Sequence, residues 1–133
     1  MATNKMSADQ KTYRIRVSPE PFYLSDHSAP ELNRYAFGYR ITIHNEGRMP
    51  ARLLTRHWII TDANGKIQEV RGDGVVGEQP HLQPGEAFQY TSWAVIETAV
   101  GNMRGSYQMI ADDGTQFAAE IPAFTLAMPR TLH

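Results

Sequence analysis

The stretch RYAFGYRITIHN, residues 34–45, alternates with a strict period of two. Tyr35, Phe37, Tyr39, Ile41 and Ile43 fall on one side, and Arg34, Ala36, Gly38, Arg40, Thr42 and His44 on the other. A helix would scatter these aromatics around its circumference, whereas a strand gathers them on one face. No window of the chain carries a convincing 3.6-residue stripe. The chain is therefore expected to be built from sheets.

The same alternation recurs along the sequence. Tyr13, Ile15 and Val17 form a half-buried strand that Pro19 and Pro21 are expected to end. In RLLTRHWIITD, Leu54, Trp58 and Ile60 share one face with Arg56 between them. Leu53, His57 and Ile59 share the other, so this strand is expected to be central. Asp62-Ala63-Asn64-Gly65 ends in the Asn-Gly pair of a tight hairpin, with Lys66 to Val70 returning. Pro84-Gly85 turns the chain into a strand through Phe88 and Tyr90. Asn102 to Ala111 carries Met103, Tyr107 and Met109 on one face, and Asp113-Gly114 turns it into Phe117, Ala119 and Ile121. Pro122 then interrupts, leaving Phe124 and Leu126 a brief pairing. Helical turns are expected only near Ser28 to Leu32, with Ser28 capping and Pro30 in the first turn, and near Val95 to Thr98. Turns about every 8–12 residues predict an all-β fold, a two-sheet sandwich of seven or eight antiparallel strands with immunoglobulin or fibronectin type III character. The domain is expected over residues 12–128, with a tail at 1–11 and another at 129–133.

Composition narrows the function. Thirteen Lys and Arg oppose fourteen Asp and Glu, a formal net charge of -1, without the basic excess of a nucleic-acid binder. There is no cysteine, which removes thiolate catalysis, iron–sulfur clusters and cysteine zinc sites. It also fits a reducing compartment. No secretory signal is visible at the start, and no apolar run approaches the roughly 20 residues of a membrane helix. The expectation is a soluble, cytoplasmic protein without membrane insertion.

Three segments invite a chemical reading. In RGDGVVGEQP, residues 71–80, Gly72, Gly74 and Gly77 have the spacing of a dinucleotide-binding turn. Such a turn joins a strand to a helix whose N-terminus receives the pyrophosphate. Here Pro80 and Pro84 block a helix, Asp73 and Glu78 would repel a phosphate, and Arg71 is the one cation nearby. The motif is expected to connect the two sheets, with a weak anion nest or a protein-contact surface as its functional alternatives. His27, His44, His57, His81 and His133 form no chelating pair by spacing, so no metal site is expected. No G-x-S-x-G elbow accompanies the serines and histidines, and no catalytic residue or cofactor is assigned. Arg56-His57-Trp58 reads as a core tryptophan with Arg56 capping the sheet edge or pairing with Glu69, or else as part of a contact patch. Trp93, facing away from Phe88 and Tyr90, is the better candidate for an exposed aromatic anchor.

Taken together, R-H-W at 56–58, the glycine motif running into Gln79-Pro80, and Leu82-Gln83-Pro84-Gly85-Glu86 resemble the ApaG family. YLSDHSAP, YAFGYRITIHNEG, GNMRGSYQM and IPAFTL extend the resemblance from Val17 to Pro129. It implies a fibronectin-type-III-like sandwich, found alone in bacteria and appended to some F-box proteins. It also implies a genetic association with cobalt and magnesium resistance or efflux, and a glycine motif discussed as a pyrophosphate loop, here Gly72, Gly74 and Gly77. His27 stands where the family often has glutamine, and Trp93 where a small residue is frequent. The expected function is a non-enzymatic binding module whose partner is another protein or a second copy of this chain. Phosphate or nucleotide binding at the glycine motif is the alternative, and divalent-cation binding a third.

Overall fold

The computed structural model of the chain describes residues 11–130. Eight strands follow in order: β1 (Ile15–Tyr23), β2 (Tyr35–Asn45), β3 (Ala51–Asp62), β4 (Ile67–Asp73), β5 (His81–Leu82), β6 (Ala87–Ile96), β7 (Val100–Ala111) and β8 (Gln116–Ala127). One sheet has the order β1-β2-β6, and the other β4-β3-β7-β8 with β5 beside the start of β3. Every pairing is antiparallel. The expected all-β sandwich is present, and β3 is central in its sheet. Most of the predicted tail at 1–11, and residues 131–133 of the other, lie outside the described residues.

The core forms where the apolar faces of the two sheets meet. Phe37, Tyr39, Ile41 and Ile43 of β2 are buried against Trp58, Tyr107, Met103, Met109 and Leu126 of the second sheet. The Trp58 ring centroid lies 5.2 Å from that of Tyr39, and the ring meets Phe124 and Tyr107 edge-on at 6.0 and 6.5 Å. Edge-on packing sets the positive rim of one ring against the negative face of its neighbour. A pair of phenols joins the two sheets within the core, with the Tyr90 and Tyr107 hydroxyls 2.5 Å apart. Burial raises the pKa of both phenols, so both stay protonated and one hydroxyl donates to the other.

Several local expectations are corrected. β1 runs through Pro19 and Pro21 instead of stopping, because it is an edge strand and pairs only with β2. A proline lacking its N–H is tolerated there. The face assignment in β3 also changes. The register with β7 shifts between Leu53 and Thr55, a bulge that turns the strand by one residue. Leu53 therefore joins Trp58 and Ile60 in the core, while Leu54 is only half-buried. Pro122 sits in a second irregularity and does not end β8, whose pairing with β7 shifts there. The buried positions pass from Ala119 and Ile121 to Leu126 across it.

The strand returning after Asn64-Gly65 extends to Asp73, taking the first glycine of the motif into β4. Val95 lies in β6, not in a helical turn. Two 3-10 turns, Ser25–His27 and Pro30–Leu32, occupy the connection before β2. Ser28 caps neither. Its hydroxyl donates to the Leu24 carbonyl and accepts from the Ala36 N–H, pinning this connection to β2.

Candidate functional site

Residues 71–80 do not open a helix. Gly72 lies in β4 opposite Arg56 of β3. A Cβ at Gly72 would come within 2.8 Å of the Arg56 guanidinium, so the bare glycine backbone lets that side chain cross where it does, and a larger residue would make it shift. Arg56 Nη1 donates to the Asp73 carbonyl at 2.9 Å and the Gly74 carbonyl at 3.0 Å. This corrects the pairing of Arg56 with Glu69: the arginine clamps the backbone of the glycine segment.

Beyond the clamp, Val75 and Glu78 exchange backbone hydrogen bonds around Val76 and Gly77. Both central residues have positive φ, 44° and 81°, the sign pattern of a type I′ hairpin turn. Gly74 also has positive φ, and a Cβ there would lie 2.4 Å from the Glu78 carbonyl oxygen. The Gly74, Val75 and Glu78 N–H groups are spent on Leu54, Glu78 and Val75 carbonyls. Arg52 donates to the Gln79 carbonyl, and Gln79 to the Leu54 carbonyl, tying down the far side. Val75, fully buried, drives into the core from the tip. The three glycines thus serve a side-chain crossing, a close backbone contact and a left-handed turn position.

Beside this segment lies a shallow depression walled by Arg56, His57, Arg71 and Asp73. His57 Nε2 is 2.9 Å from Glu69, and Arg71 lies 3.7 Å from the same carboxylate. The hydrogen bond from His57, then the charge of Arg71, hold the Glu69 carboxyl below its ordinary value. Arg71 is exposed and already faces a carboxylate.

Trp93 lies elsewhere, on the outer face of the three-stranded sheet. Its residue is 61% exposed. Register sets Trp93 of β6 opposite Gly38 of β2, and Gly38 opposite Phe22 of β1. The Phe22 ring lies over Gly38, where an added Cβ would come within 2.3 Å of it. Phe22 is itself 41% exposed. The two aromatics flank a groove of about 370 Å³ whose walls include Leu24, His27 and Arg34. Arg34 Nε donates to the His27 carbonyl at 3.2 Å, which fixes the guanidinium at the rim.

Sequence reasoning identified Trp93 but missed Phe22, His27 and Arg34 as its neighbours. Gly38 was the available signal, since a glycine inside an alternating strand marks a place where something packs closely on the backbone. Arg56 and Trp93, both considered as contact residues, lie on different sheets and do not meet. Among the described residues no group of three or more His, Asp or Glu could hold a metal ion. No helix among them is long and apolar enough to cross a membrane.

A family model described as the ApaG domain matches residues 25–111. A protein named ApaG from Dechloromonas aromatica is 60% identical over 126 residues, 95% of this chain and 99% of its own length. Another from Stenotrophomonas maltophilia is 58% identical over 125 residues, 94% of this chain and 98% of its own. Among solved structures, an ApaA protein from Bordetella pertussis is 48% identical with a TM-score of 0.88, covering 91% of this chain and 98% of that one.

Proposed function

We propose, from the premise that this chain belongs to the ApaG family, that it is a non-enzymatic binding module whose partner is another protein. Its contact surface is the outer face of the three-stranded sheet around Trp93. The observation that carries this reading is the exposure of a tryptophan and a phenylalanine on either side of one groove, on a rigid sheet. A tryptophan left in water forgoes the burial energy of a large apolar surface, about 1.5–3 kcal/mol or more. Aromatic and arginine side chains in a pre-formed groove are the composition of interface hot spots. In this reading residues 71–80 are scaffold, and any link to cobalt or magnesium tolerance runs through the partner.

The test replaces Thr91, which lines the same groove, with a photo-crosslinking amino acid in living bacterial cells. A discrete protein adduct is expected, and it should disappear when Trp93→Ala is added without lowering the melting temperature. No adduct, or one that Trp93→Ala leaves unchanged, would overturn the proposal.

A further inference from the structure

Building on the protein-binding reading, we infer that the occupant of this face is an extended acidic segment of the partner, with one aromatic or aliphatic residue anchored between Phe22 and Trp93. The charge distribution argues for it. Although the whole chain is nearly neutral, this face gathers arginines. Arg40 stands on β2 two residues beyond Gly38 on the same side, opposite Glu20 and Thr91. Arg16 stands opposite His44, farther along the same ladder. Arg34 is at the groove and has no carboxylate partner among the described residues.

Among the described residues, the carboxylates near these cations are shared or loosely held. Glu46 is shared by Arg14 at 3.2 Å, Arg16 at 3.3 Å and His44 at 3.6 Å, so Arg16 does not hold this carboxylate alone. Glu20 approaches Arg40 only to 3.8 Å, with both side chains at least half exposed, a pairing of little strength. An incoming carboxylate therefore finds guanidinium groups able to bind it with charge-assisted hydrogen bonds.

Spacing gives the length of the occupant. From the Gly38 row to the His44 row the strand advances about 20 Å at roughly 3.4 Å per residue. An extended segment of about six residues spans that distance. Both exposed aromatics stand in one cross-strand row at one end of this track. A single-stranded nucleic acid would be better served by aromatics spaced along the track for successive bases. One anchor followed by cations fits a peptide better.

The experiment titrates three fluorescein-labelled probes against the intact protein. The first is a decapeptide with one tyrosine followed by alternating Thr and Glu. In the second every Glu is Gln, and the third is a uridine decanucleotide. The acidic peptide is expected to bind saturably, and the Gln peptide about tenfold or more weakly. Added salt should narrow that difference. Trp93→Ala and Arg40→Glu should each weaken the acidic peptide, while Arg104→Glu, an equal charge change on the other sheet, should not. Equal binding of the Gln peptide would overturn the acidic partner and leave the protein-binding reading standing. Tighter binding of the oligonucleotide, or no saturable binding of the acidic peptide, would also overturn the inference. Failure of Thr91 to give any adduct in cells, or an adduct that Trp93→Ala leaves unchanged, would instead strike the function it rests on.

Discussion

At the scale of single residues, the glycine segment concentrates the backbone constraints. Val76 is a β-branched residue at φ 44°, a conformation such side chains strongly disfavour. Its side chain is largely exposed. Val76→Asn creates the Asn-Gly pair that a type I′ turn prefers and should raise stability by about 1 kcal/mol in chemical denaturation. Gly74→Ala should lower it by about 2–3 kcal/mol, because strain at positive φ adds to a clash with the Glu78 carbonyl. Gly77→Ala, with open space around it, should cost less than Gly74→Ala in the same measurement. The Tyr90–Tyr107 pair offers a second test. Tyr107→Phe leaves the Tyr90 hydroxyl buried without its partner and should cost about 1–2 kcal/mol. Tyr90→Phe with Tyr107→Phe should recover most of that loss, since both polar groups are then gone, and a double-mutant cycle would measure the recovery.

At the scale of elements, the two irregularities in β3 and β8 decide which side chains reach the core. Side-chain direction alternates, so one extra residue exchanges the faces of everything beyond it. Uninterrupted alternation through β3 grouped Leu54 with Trp58, whereas the bulge gives that place to Leu53. Leu53→Ala should therefore cost about 3 kcal/mol and Leu54→Ala less than about 1 kcal/mol, read from urea midpoints at constant slope. The longer strands, the hairpin turns and the central place of β3 were legible, because each rests on local alternation or on Asn-Gly, Pro-Gly and Asp-Gly pairs. Bulges were not legible, because they arise where one strand must follow the twist of its neighbour. β5 was missed for a related reason: two residues, His81 and Leu82, are too few to show a period.

At the scale of the molecule, three tyrosines of the sandwich core, Tyr39, Tyr90 and Tyr107, have raised pKa values, chiefly through burial. Their unfolded counterparts ionise near 10.0. Between that value and the higher folded ones, the unfolded chain binds fewer protons than the native one, so stability falls as pH rises. The contribution is complete below the unfolded value and is lost above it. Thermal melts should thus drop steeply above about pH 10. Absorbance at alkaline pH should show these three phenols ionising with unfolding and not before it. A titration in which every tyrosine ionised in the native state would contradict this.

The sequence by itself determined the class of fold and its family. Alternating apolar residues, turn pairs and glycines that require positive φ are local properties, and they survive without knowledge of neighbours. Tertiary structure alone decided what Arg56 holds, which side chain crosses Gly72, and which side chains surround Trp93. Arg56 and Gly72 are brought together by β3 pairing with β4, and Phe22, Gly38 and Trp93 by three strands distant in sequence. Cross-strand neighbours follow from register, and register is set by how the whole sheet packs and twists, not by the residues on either side in the chain.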